Sequence, residues 1–146
     1  MLGTLAKWLR VYGFDTFFAN STLDDTGLIE IAKKEQRILL TRDKTLAQIA
    51  RRENLKIFEI SSPYIDEQLN QVLGKIHVDE KQFFSRCLLC NSTISSIDKN
   101  KVKGKVPERV YKNNQKFWFC SKCNKIYWKG THHDNMLKKI KSIEEF

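Results

Sequence analysis

The chain has 146 residues, is 41% hydrophobic, and carries 26 Lys/Arg against 17 Asp/Glu for a formal net charge of +9. That length supports one moderate core, or a small α/β core beside a module too small to fold without help, and the second arrangement fits better. No apolar run approaches the ~20 residues that a bilayer demands, and Lys7 and Arg10 fall inside the first helical pattern rather than ahead of an apolar block, so we expect a cytoplasmic, soluble protein with no membrane partner.

In chain order, Leu2, Leu5, Ala6 and Leu9 recur at helical spacing and predict a helix stopped by Gly13. Asp15-Thr-Phe-Phe-Ala19 is rich in aromatic and β-branched residues and reads as a strand. Leu28, Ile31 and Ala32 mark a second helix, Arg37-Ile-Leu-Leu-Thr41 a buried strand, and Leu46, Ile49 and Ala50 a third helix. A strand over Leu55–Ile60 follows, then Ser61-Ser-Pro63 opens a helix carrying Ile65, Leu69, Val72 and Leu73. Alternating helices and strands with short connections predict an α/β class with a parallel sheet flanked by helices. The pattern opens on a helix with no strand ahead of it, which is anomalous for that class. Periodicity stops between His77 and Arg86, the expected linker between an α/β domain at 1–78 and a second domain at 84–146.

Charge follows the same division. Residues 1–80 hold 11 Lys/Arg against 12 Asp/Glu, and residues 81–146 hold 15 against 5, so the two parts carry −1 and +10. A small basic module attracts phosphate, although a lysine-rich solvated surface has the same composition.

All four cysteines lie in that part, as Cys87-Leu-Leu-Cys90 and Cys120-Ser-Lys-Cys123, with 29 residues between the pairs. In a Cys-x-x-Cys knuckle a tight turn brings two sulfurs to one tetrahedral ion, and two knuckles complete its shell. Two disulfides, or one redox-active pair, are the competing readings; the first is disfavoured in a reducing compartment, and the second needs only one pair. We therefore expect Cys87, Cys90, Cys120 and Cys123 to hold one structural Zn²⁺, with the intervening residues forming a hairpin. A shell of four sulfurs is closed, so His132 and His133 are expected at the surface or against a phosphate. Aromatic and basic residues interleave at Lys116-Phe-Trp-Phe119 and Tyr127-Trp-Lys129, suited either to stacking bases or to forming the module's minimal core.

In the first part, Asp43 follows the Arg37–Thr41 strand, and Asp24 and Asp25 precede the second helix. Carboxylates gathered at the carboxyl edge of a parallel sheet can hold Mg²⁺ or Mn²⁺, and the same residues at these positions can cap helices.

Taken together, Met1-Leu-Gly-Thr-Leu-Ala-Lys-Trp-Leu-Arg10, Tyr12-Gly-Phe-Asp15, Arg37-Ile-Leu-Leu-Thr-Arg-Asp43, Cys87-Leu-Leu-Cys90, Val106-Pro-Glu-Arg-Val-Tyr111, Phe117-Trp-Phe-Cys-Ser-Lys-Cys123 and Tyr127-Trp-Lys-Gly-Thr-His132 resemble the Mut-seven C-terminal RNase domain family. The resemblance implies a PIN-like nuclease domain followed by a four-cysteine zinc ribbon with a basic C-terminal helix. It implies a metal-dependent ribonuclease acting on RNA, with Asp43 and Asp24 or Asp25 in the acidic site and Arg42 on a phosphate. Lys116, Trp118, Lys122, Trp128 and His132 would then be the RNA-facing residues of the ribbon. Members of this family begin with a further strand ending in an Asp ahead of the Met-Leu-Gly stretch. A chain read from Met1 would lack that strand and carboxylate, because of a late-assigned start, trimming, or degeneration; marginal stability or self-association would follow. The alternative function is a catalytically inactive nucleic-acid-binding module, and a protein-interaction ribbon is a third.

Overall fold

The computed structural model describes residues 2–19 and 22–144; Met1, which opens the Met-Leu-Gly stretch, lies outside them. Among the described residues the protein is mixed α/β, with six α-helices, a two-stranded parallel sheet and a three-stranded antiparallel sheet. The chain divides into two compact units, one holding the residues up to Trp8 with Phe17–Val78, the other holding Leu9–Thr16 with the residues from Asp79 onward. No described helix is long and apolar enough to cross a membrane.

Helix α1 (Gly3–Val11) buries Leu5, Ala6 and Leu9, the stripe its spacing predicts. It ends where Gly13 takes φ +93°, donating its N–H to Arg10 O (3.0 Å) while Phe14 N–H reaches Leu9 O (3.0 Å). This pair of bonds satisfies the last carbonyls of the helix and needs a left-handed residue at the turn. A side chain at Gly13 would also collide with the Gln82 carbonyl, so glycine is required there twice over.

In the first unit, α2 (Asp25–Lys34), β1 (Leu39–Thr41), α3 (Lys44–Arg52), β2 (Ile57–Glu59) and α4 (Ile65–Leu73) follow in order. β1 and β2 run parallel with Leu39 opposite Ile57 and Thr41 opposite Glu59, and α3 supplies the crossover that parallel pairing needs. Ile29, Leu39, Leu46 and Ala50 form the centre of this core, with Leu28, Leu55 and Ile57 packed against it. α2 turns Ile29 and Ala32 inward, leaving Leu28 and Ile31 half-buried, and α3 buries Ala47 while Ile49 is exposed. Ala32, Leu46 and Ala50 thus face inward as expected, while Ile29 and Ala47 take the places expected of Ile31 and Ile49. At β2 the Gln71 amide from α4 donates to Glu59 O (2.6 Å) and accepts from Ser61 N (3.4 Å). A side-chain amide there stands in for a neighbouring strand.

The expected strand at Asp15–Ala19 does not form: the segment has no regular secondary structure and joins no ladder. Side chains hold it instead, with Thr16 O accepting from Arg10 Nε (3.0 Å) and Thr16 N–H donating to Asn91 Oδ1 (2.8 Å). The aromatic pair that suggested a strand, Phe17 and Phe18, is about half exposed.

The second unit holds β3 (Ser95–Ile97), α5 (Glu108–Asn113), β4 (Phe117–Cys120), β5 (Lys125–Tyr127) and α6 (Thr131–Glu144), with β4 central in an antiparallel sheet. α6 buries Met136, Ile140 and Ile143, four and three residues apart. Phe117, Val102, Leu9, Val11 and Tyr12 are buried in the same unit. The aperiodic stretch after His77 contains a short 3-10 turn, Glu80–Gln82, whose first N–H groups are capped by Asp79, and Phe84 N–H then bonds Val11 O (2.8 Å).

Candidate metal centre

Each cysteine pair sits where the backbone reverses. Cys120 ends β4 and Cys123 lies in the turn to β5, while Cys87 and Cys90 lie in a turn closed by the Arg86–Thr93 bridge. Asn91 and Asn124 immediately follow the two pairs, with φ of 75° and 55°. Asn is among the few side chains that tolerate the left-handed conformation, and it lets each turn close directly after the second sulfur.

The four Sγ atoms all lie within 4.8 Å of one another. A tetrahedron with Zn–S bonds of ~2.3 Å has sulfur–sulfur edges of about 3.8 Å. The Cys90–Cys120 separation of 3.5 Å is close to that edge and far beyond the ~2.05 Å of a disulfide. Cys87 and Cys120 are fully buried, and Cys90 and Cys123 half-buried. Tyr127 reaches in from β5, its hydroxyl 3.1 Å from Cys87 Sγ and accepting from Leu88 N–H at 3.1 Å. The phenol therefore fixes both a ligand and the turn beside it.

The charge preferences of the thiols explain why the group calls for a cation. Burial pushes the Cys87 thiol up, but hydrogen bonds from Tyr127 and the backbone amides of Cys90 and Leu89 outweigh it and bring it down. Burial likewise opposes ionisation of Cys90, and bonds from the Ser92 hydroxyl and amide and from the neighbouring thiols bring it down to about 6. The Cys90 contact and burial push Cys123 up to about 12, and burial raises Cys120. The surroundings thus favour the thiolate at Cys87 and Cys90 and the thiol at Cys120 and Cys123, and a bound metal ion would favour the thiolate at all four. The residues thus fit a four-thiolate metal ion, and among the described residues they are the group of three or more metal-ligating side chains that converges.

The carboxylates of the first unit are placed otherwise. Asp43 Oδ1 caps α3, accepting from Thr45 N (2.8 Å) and Leu46 N (3.3 Å). Asp24 Oδ1 caps α2 through Gly27 N (2.8 Å), and Asp25 lies in the first turn of that helix. All three are exposed, as is Arg42 between β1 and α3, and they do not form a second three-ligand cluster. In the second unit Lys116, Lys122 and His132 are exposed and Trp128 is half-buried. Trp118 is half-buried with Lys129 Nζ 5.8 Å from its ring centroid. The packed histidine is His133, with its ring 4.0 Å from that of Phe84; burial and then the Lys129 charge hold its pKa down.

Sequence reasoning missed Tyr127 as a partner of the site and took it for a stacking or core residue. It also missed the repeated Cys-x-x-Cys-Asn pattern, which is visible in the sequence. No curated protein and no solved structure matched the chain. The family model described as the Mut7-C RNAse domain matches residues 1–140, a span that takes in Asp24, Asp43 and all four cysteines. The match covers nearly the whole chain, and the chain belongs to the Mut7-C RNAse domain family.

Proposed function

We propose that the protein is a metal-dependent ribonuclease of PIN-like type that hydrolyses RNA phosphodiesters, with a nuclease domain over 1–78 and an RNA-holding zinc ribbon over 84–146. The observation that carries this reading is the family match over residues 1–140, which points to a nuclease-like function and to RNA as substrate or partner. The excess of 15 Lys/Arg over 5 Asp/Glu in residues 81–146 supports phosphate contact. Bound zinc with four thiolates lowers that charge by about two and leaves it strongly positive.

Asp43, with Asp24 or Asp25, would hold Mg²⁺ or Mn²⁺. Their capping bonds engage Oδ1 of Asp24 and of Asp43, which leaves Oδ2 to an ion. When bound, such an ion supplies polarisation of the phosphate and a lowered pKa for an attacking water. Arg42 would meet the phosphate, and Lys116, Trp118, Lys122, Trp128 and His132 would face RNA. Four reduced thiols accord with a cytoplasmic protein. Self-association through the short parallel sheet belongs to the same proposal.

A second reading, an inactive RNA-binding protein, is favoured by the engagement of Asp24 and Asp43 as helix caps. Cleavage of labelled RNA by the purified chain with Mg²⁺ or Mn²⁺ separates the two. Asp43→Asn keeps a good N-cap and removes a charge, so the nuclease reading predicts loss of metal-dependent cleavage with RNA affinity retained. No hydrolysis by the parent with either metal would sink it in favour of the binding protein.

A further inference from the structure

The two knuckles must be fixed before four sulfurs can meet one ion, and they are fixed by different means. Cys120 and Cys123 belong to the β4–β5 hairpin, where Phe119 faces Ile126 and Cys120 faces Lys125 in a regular ladder. Around Cys87 and Cys90 no regular strand pair forms: the Arg86–Thr93 bridge stands alone, with Cys87 N–H on Ser92 O (2.8 Å), Ile94 N–H on Ser85 O (3.0 Å) and Asn91 N–H on Cys87 O (2.9 Å). What that turn lacks in ladder, the segment Leu9–Thr16 supplies.

Arg10 is 9% exposed, and its Nη1 donates to Leu88 O inside the Cys87–Cys90 turn at 2.9 Å while Nε holds Thr16 O at 3.0 Å. Asn91, the left-handed residue that closes the turn, accepts Thr16 N–H on Oδ1 (2.8 Å) and donates Nδ2 to Asp15 Oδ1 (2.6 Å). Arg86 spans the same gap, with Nε on Gly13 O (3.1 Å) and Nη1 on Asn91 O (2.9 Å). Phe84 N–H reaches Val11 O (2.8 Å), and Phe83 packs edge-on against Tyr12 with centroids 5.2 Å apart. A guanidinium this buried is costly unless its donors are satisfied, and two of the acceptors it uses are backbone carbonyls that only this arrangement brings together.

We infer that Leu9–Thr16 is a structural part of the metal centre, with Arg10 and Asn91 as positioning residues that hold the Cys87–Cys90 knuckle in ligating geometry. Occupancy of the centre in turn orders the segment, since coupling between two events is reciprocal. The inference concerns metal binding and stands whether or not the chain cleaves RNA. The zinc module is therefore not confined to the chain beyond Val78: its first knuckle depends on residues some seventy-five positions earlier, the separation of Thr16 from Asn91.

The test uses the full chain loaded with zinc. Asn91→Gly keeps the left-handed backbone at no steric cost and removes only the side-chain contacts. Competition with a chromophoric chelator should show zinc binding weakened about 10- to 100-fold by Asn91→Gly, the range seen when outer partners of metal ligands are lost. Lys138→Ala, at an exposed position on α6, should stay within about twofold of the parent, below what loss of such a partner causes. In the parent, chelating the zinc should speed hydrogen exchange at the Thr16 and Phe84 amides while the α3 amides from Leu46 to Ala50 keep their protection. Asn91→Gly binding zinc like the parent, or Thr16 protection indifferent to chelation, would overturn the inference. Should Asn91→Gly also lose α3 protection, it has unfolded, and the exchange of the parent then decides.

Discussion

Both units are built on sheets too short to stand alone, strands of three residues in one and of three and four in the other, yet they solve the problem differently. The first covers β1 and β2 with helices and closes them over Leu39, Phe58, Ile60, Leu46, Leu69 and Val72, all buried. In the second, the side chains buried most completely include Cys87 and Cys120, beside Phe117, Val102 and Ile140. Apolar side chains pack against both sheets, and the second adds four cysteines placed to converge on an ion. The same small-domain problem is met by a hydrophobic core in one place and, in the other, by a smaller core with a four-cysteine cluster that fits a metal ion.

Acid should separate them most sharply. Zinc binds thiolates, and at pH 7 without metal Cys90, at about 6, has lost its proton, whereas Cys123, at about 12, and Cys120, raised by burial, keep theirs. Binding at pH 7 then releases at least these two protons, so zinc affinity should fall by about two orders of magnitude per pH unit on acidification. The fall should steepen below about pH 6, where Cys90 also protonates. Because bound zinc contributes an apparent ~10–16 kcal/mol to the folding of small zinc modules, the near-ultraviolet signal of Trp118 and Trp128 should collapse before the helical signal of α1–α4. Zinc affinity that stayed flat between pH 6 and 8 would break the comparison.

The smaller effect lies in the other unit. Leu69 is fully buried in α4, and Leu69→Ala should cost about 2–5 kcal/mol in urea unfolding with zinc saturating. Zinc affinity should not change, because this core holds no thiolate. A parallel loss of zinc affinity would show that the second unit draws on the first for its stability.

These differences also govern how much the sequence disclosed. The helices α1–α4 are legible because one-sided burial imposes a 3.6-residue repeat, although Ile29 and Ala47 turn inward where Ile31 and Ile49 were expected. Asp24 and Asp43 are legible as helix caps, and a cap and a metal ligand use the same residue type at the same place. The cysteine cluster is legible from spacing, since a knuckle is a local turn. What spacing cannot convey is contact between distant segments. The Asp15–Ala19 stretch has the composition of a strand, and its backbone is instead claimed by Arg10 and Asn91. Tyr127 looks like any ring beside a knuckle until its hydroxyl is seen bridging Cys87 and Leu88.

The most direct test of the account is the metal content of the purified chain, with the visible spectrum after cobalt substitution. The account predicts one zinc per chain and, with cobalt, the intense absorption of a tetrahedral four-thiolate complex. A metal-free chain whose four cysteines are recovered as two disulfides would contradict it.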